Sequence, residues 1–184
     1  MDIAPLDFLR SIIPLSDDLK QRLDSILKVA EFKKKTLLLR EGQISNHIYF
    51  IESGLIRIYY LKGDREICSG LLAEGGIALS VKSFFKRERS DEFIETIEDT
   101  KVQFITYEEL EHLYRDFPEY NIVGRKLITE YYVMSEERNF LLRRQSAQEK
   151  YEFFQNRFGH LTSRVARKDI ASYLGINLET LSRL

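Results

Sequence analysis

The chain has 184 residues, a formal charge of −1, 43% hydrophobic residues and a single cysteine, Cys68. One cysteine excludes an internal disulfide framework and a Cys-ligated iron–sulfur cluster held by one chain. No apolar run reaches the eighteen or so residues of a membrane span, and "MDIAPLDFLRSIIPL" has neither the basic start nor the long apolar core of a signal peptide, so a cytoplasmic protein is expected.

In chain order, the first element is helical. Ser16 stands as an N-cap before "DDLKQRLDSIL", with acidic residues in the first turn and Leu19, Leu23, Ile26 and Leu27 on one stripe. The period then changes. "KTLLLREGQ", "HIYFIESGLIRIYYLKGDREICSGLLAEGG" and "DEFIETIEDTKVQFI" are short Ile-, Leu-, Tyr- and Phe-rich runs, punctuated at Gly42, Gly54, Gly63 and Gly75–Gly76. Short strands with repeated turn signals predict an antiparallel sandwich or barrel, with a hairpin about Lys62-Gly63-Asp64.

Helices follow. Thr106 and Glu109 form a capping box ahead of Leu110, Leu113 and Phe117. From Glu119 to Arg144 there is no proline, which predicts a helix of about twenty-five residues, near 40 Å long. Tyr120, Leu127, Tyr131, Met134 and Leu141 recur near a spacing of three and four, with Gly124 and Arg138 interrupting, and such a seam suits packing against a second copy or, equally, against the helix's own domain. A helix over "SAQEKYEFFQNRF" places Tyr151, Phe154 and Phe158 on one stripe.

The end of the chain reads "ARKDIASYLGINLETLSRL". Ile170, Ala171 and Leu174 give a helix from Arg167; Gly175 suits a left-handed C′ position; Ile176 plugs the turn; Asn177 is an N-cap whose side-chain oxygen can accept a backbone N–H. A second helix then directs Leu181 and Leu184 inward and leaves Glu179, Thr180, Ser182 and Arg183 outward, side-chain types that read base edges and phosphates. Two short helices joined through a glycine make a helix-turn-helix pattern. The charge distribution agrees: from Arg138 onward there are nine Lys/Arg and four Asp/Glu, a balance of +5, against −6 on the rest.

The run Glu179-Thr180-Leu181-Ser182-Arg183 resembles the recognition helix of the Crp/Fnr transcription regulators, and "HIYFIESGLIRIYY" resembles that family's β-roll signature. The likeness extends over the whole chain. It implies an α+β protein: an antiparallel β-roll of the cyclic-nucleotide-binding, jelly-roll type over residues 1–118, a dimerisation helix over 119–144, and a helix-turn-helix domain over 145–184. It implies a homodimer on an inverted-repeat site of double-stranded DNA, contacts from Arg167, Lys168, Asn177, Glu179, Thr180, Ser182 and Arg183, an unidentified small-molecule effector in the roll, and RNA polymerase as a further partner. Members of the family usually continue past the recognition helix, many into a small β-wing, whereas this sequence ends at Leu184.

One departure bears on the effector. Cyclic-nucleotide binders of this kind carry a Glu for the ribose and an Arg-Ser/Thr pair for the cyclic phosphate. Here Ser80 or Val81 stands at the first place, and Ser90, Asp91 or Glu92 at the second; Arg87 or Arg89 reaches in only if the loop is shifted. Without the bidentate clamp, cyclic AMP is disfavoured. His47, His112 and His160 show no metal-ligand spacing, and no phosphate loop, dinucleotide fingerprint or nucleophile elbow occurs, so no metal, cofactor or catalytic residue is expected. The alternatives are a ligand-binding or protein-interaction module with a degenerate helical end, and an enzyme with its site in the barrel.

Overall fold

A computed structural model describes residues 14–144 and 146–184. The N-terminal stretch read above for a signal peptide lies almost wholly outside the described residues.

Helix α1 (Asp17–Ile26) begins as its sequence dictates: Ser16 Oγ accepts the Leu19 N–H, and Leu19, Leu23 and Ile26 are buried. Eight strands follow: β1 (Lys28–Phe32), β2 (Leu37–Leu39), β3 (His47–Ser53), β4 (Ile56–Lys62), β5 (Arg65–Leu72), β6 (Ile77–Ala78), β7 (Phe93–Thr96) and β8 (Thr100–Thr106), with the short helix α2 (Val81–Lys86) between β6 and β7. They form two antiparallel four-stranded sheets, ordered β1-β8-β3-β6 and β2-β7-β4-β5. Alternation along each strand sends one set of side chains between the sheets. There Leu39, Tyr49, Ile51, Ile56, Ala78, Ile94 and Val102 make the roll's core.

The β4–β5 hairpin closes with Lys62 opposite Arg65, and a bulge between Ile58 and Tyr59 shifts the register. Strand β5 is an edge of its sheet.

Helix α3 (Tyr107–Asp116) starts on the predicted capping box, with both Thr106 and Glu109 in their reciprocal roles. Helix α4 (Tyr120–Arg144) spans 25 residues. Gly124, near its start, leaves room for the Tyr114 ring of α3: a Cβ there would collide with the Tyr114 hydroxyl and push the ring aside. A second cluster, on the outer face of the β3–β8 sheet, packs α1 and α3 with Tyr120 and Val123 of α4.

The expected seam along α4 does not form one face turned to solvent. Tyr120 and Leu141 are 2% exposed, buried in their own chain, and Leu127 packs on the α1–α3 cluster, whereas Tyr131 and Met134 are exposed. The reason is that α4 is flanked by the roll at its start and the helical end at its finish, and both claim the same side. The apolar side chains left outside include Ile122, Ile128, Tyr132, Val133 and Phe140. Ile122, Thr129, Val133 and Phe140 fall at spacings of seven, four and seven, on the face opposite Tyr120.

The chain ends in α5 (Ala147–Phe158), a 3₁₀ turn (Gly159–Leu161), α6 (Arg167–Leu174) and α7 (Leu178–Arg183). Ser146 and Glu149 form a capping box at the start of α5 that the sequence reading had not singled out.

Candidate nucleic-acid interface

The turn between α6 and α7 is built on Gly175 at φ +62°, a left-handed conformation that costs other residues about 1 kcal/mol or more. Its N–H donates to the Ser172 carbonyl at 3.1 Å, and the Ile176 N–H donates to the Ala171 carbonyl at 3.0 Å, closing the last turn of α6. Ile176 packs on the cluster beneath. Asn177 occupies the N-cap of α7 with extended backbone, and its carbonyl accepts the Leu181 N–H at 3.0 Å. Its side chain makes no capping bond, contrary to expectation.

Leu181 is 1% exposed and anchors α7. Leu184, expected beside it, is 43% exposed: it lies one residue past the helix, where no element covers it. Glu179, Ser182 and Arg183 are exposed, and Thr180 is half-buried. The Ser182 hydroxyl donates back to the Leu178 carbonyl at 2.9 Å, which leaves its oxygen as an acceptor. Lys168 is exposed in the first turn of α6. Arg167 reaches across the turn and donates to the Leu181 carbonyl at 2.6 Å, so its guanidinium joins the two helices.

The helical end is seated on the roll. Leu55, Cys68 and Leu71 share one buried cluster with Leu141, Phe154, Leu161, Val165, Ile170, Ala171, Leu174 and Leu181. Burial pushes the Cys68 thiol up to about 12, so the single cysteine is a packing residue under α6. Three arginines tie the parts together. Arg57 of β4 bonds Asp169 of α6 at 3.1 Å, as well as Glu66 and Glu95 at 2.8 and 2.6 Å. Arg138 of α4 donates to the Tyr173 carbonyl at 3.2 Å, its guanidinium 4.7 Å from that ring. Arg164, before α6, bonds Glu74 at 2.7 Å and Glu98 at 2.6 Å in the turns of the roll. Arg164 holds the Glu74 carboxyl down at about 2. Sequence reading counted Arg57, Arg164 and Asp169 only as charges: pairs 112 and 90 residues apart leave no local pattern.

Inside the roll, the positions matched to the cyclic-nucleotide clamp do lie together. Ser80 Oγ is 3.1 Å from Ser90 Oγ, and the Ser80 and Ser69 hydroxyls lie 2.8 and 3.3 Å from the two carboxylate oxygens of Glu92. Among the described residues no cationic side chain is ion-paired to Glu92. Arg87 points elsewhere: it donates to the Ser45 carbonyl at 2.8 Å and to Asn46, and lies 4.2 Å from the Tyr107 ring centre. Arg89 is exposed.

Among the described residues, no helix is long and apolar enough to cross a membrane. Residues 29–117 match the cyclic nucleotide-binding domain family. The chain is 25% identical over 182 residues to electron transport regulator A of Shewanella oneidensis, covering 92% of this chain and 72% of that protein. It superposes on FixK2 of Bradyrhizobium japonicum with a TM-score of 0.75 at 21% identity, over 86% of this chain and 82% of that one. A putative transcriptional regulator of the crp/fnr family from Eubacterium rectale gives 0.71 at 18% identity, over 94% and 85%. Residues 29–117 thus match the cyclic nucleotide-binding domain family, in a chain whose fold is that of FixK2 and of the crp/fnr-family protein from Eubacterium rectale.

Proposed function

We propose that the chain is a DNA-binding transcription regulator, reading duplex DNA through α7 and acting as a homodimer. The observation that carries this reading is the division of labour in α7: Leu181 is sunk in the core, while Glu179, Ser182 and Arg183 stand in solvent on a six-residue helix held by a glycine turn. A guanidinium there can take guanine O6 and N7 together, and the glutamate can accept from a cytosine amino group. Lys168 is placed for phosphate, and the excess of basic residues from Arg138 onward supplies the sequence-independent attraction. Arg167 serves first as a brace between the helices.

The dimer contact is proposed along α4, through the outward stripe of Ile122, Thr129, Val133 and Phe140 rather than through Tyr120 and Leu141. A two-fold dimer sets its reading helices about 34 Å apart and so reads an inverted repeat. The roll, in this reading, does not respond to cyclic AMP.

Selection from random duplex DNA tests the proposal. Enrichment of an inverted repeat is expected; a pool that stays random would leave the helical end a protein-interaction module.

A further inference from the structure

We infer that Arg57, on the outer face of β4, is a positioning residue for the reading helix: it holds α6 on strand β5 through Asp169, and α7 through α6. The inference rests on the DNA-reading proposal above and adds the element that aims the reader.

Asp169 depends on Arg57 more than Arg57 depends on Asp169. The arginine is 8% exposed, yet two carboxylates of its own domain, Glu66 and Glu95, already meet its guanidinium, and the Tyr59 ring lies 4.3 Å beneath it. Tyr59 in turn stacks on Phe93 at 4.9 Å and 7° between planes, so the guanidinium rests on a two-ring platform across β4 and β7. It would stay charged and oriented in the roll alone. Asp169 is equally buried at 8%, and Arg57 is its only ion-pair partner among the described residues. A buried carboxylate stripped of its cation must reach water or take a proton. Loss of Arg57 therefore loosens the seat of α6 on β5, even with the apolar contacts between them in place.

One further bond gives the seat its register. The Cys68 N–H, on the outer edge of β5, donates to Ser172 Oγ at 2.9 Å. From α6 the position passes to α7 through the Arg167 bond to the Leu181 carbonyl and through Leu181 itself, which lies in the same cluster as Cys68 and Leu71.

The test is a double-mutant cycle with two readouts, hydrogen exchange and DNA binding, on Arg57→Met, Asp169→Asn and the double variant. Arg57→Lys and Glu95→Gln serve as controls. Each single variant is expected to speed exchange over residues 167–184 by about tenfold or more, the scale of losing a buried charge partner, with β3 and β8 unchanged. Affinity for a selected site should fall about tenfold while affinity for random duplex stays within about twofold, because aim, not charge, is lost. The double variant should be no worse than either single one. Arg57→Lys should restore part of the protection, and Glu95→Gln, which meets Arg57 inside the roll, should leave residues 167–184 as they were. Additive single effects, unchanged exchange, or a rise in site affinity would each overturn the proposal; the last would mean that the seat holds the reader away from DNA. If the unaltered protein selects no sequence, the DNA reading fails, and the exchange cycle alone still decides whether Arg57 seats α6.

Discussion

Arg183 carries its guanidinium into solvent, while Arg57, Arg87, Arg138, Arg164 and Arg167 are each engaged by the chain itself. In the proposed function, that contrast leaves Arg183 for direct base reading, with the others as braces. Arg183→Ala should cost about 1–3 kcal/mol on a selected site and relax the preference at one base pair per half-site. Lys168→Ala should instead weaken all sequences alike and flatten the salt dependence by about one unit of slope. Titrations of matched and mismatched duplexes at several salt concentrations separate the two. Equal losses on every sequence for Arg183→Ala would remove it from base reading. Glu179 lies four residues before Arg183, one turn away, and can steer the guanidinium before DNA arrives.

Two elements, α4 and the chain entering α6, carry the next predictions. On α4 Tyr120, Val123 and Leu141 are buried in the chain itself, and the proposed contact for a second copy is the exposed stripe through Val133. Val133→Glu should convert the dimer to a monomer in sedimentation at micromolar concentration, because a carboxylate would be forced into an apolar contact. Leu127→Ala should lower stability while leaving the dimer intact, since Leu127 packs on the α1–α3 cluster. A dimer that survives Val133→Glu would refute this face. At the entrance to α6, Arg164 grips Glu74 and Glu98, each about a quarter exposed. The Glu74 carboxyl is depressed from 4.5 to about 2. Its contribution to stability is full above the unfolded value and disappears as pH falls through the folded one. Acid should thus weaken the fold between about pH 4.5 and 2. Glu74→Gln should flatten that part of the stability–pH curve, and an unchanged curve would show that the pair contributes nothing.

At the scale of the whole molecule, what was legible in the sequence was what is local. The capping boxes, the glycine turn of the reader and the change from a period near 3.6 to one near 2 all lie within a few residues of one another, and the structure shows the roll and helices they imply. What escaped was set by distance along the chain. On α4 a spacing of three and four says that one side is apolar, not which body will cover it: Tyr120 and Leu141 are covered by the chain itself, and Tyr131 and Met134 are not. The pairs that join the helical end to the roll, Arg57–Asp169 and Arg164–Glu74, are ones that only the folded chain brings together. The same economy of arginines bears on the effector. A cyclic phosphate in the roll would need a guanidinium, but Arg57 is turned outward to α6, Arg87 is bonded to Ser45 and Asn46, and the place of the clamp holds Glu92 between serine hydroxyls. A phosphate about 4 Å from that carboxylate would be repelled by about 4 kcal/mol at an effective dielectric constant near 20. That is half of the roughly −8 kcal/mol that corresponds to micromolar affinity. Calorimetric titration with cyclic AMP or cyclic GMP should therefore give no dissociation constant tighter than about 1 mM. Low-micromolar binding by the unaltered protein would mean that a guanidinium, most simply Arg89 from its exposed position, swings in to meet the phosphate, and Arg89→Ala would then abolish the heat.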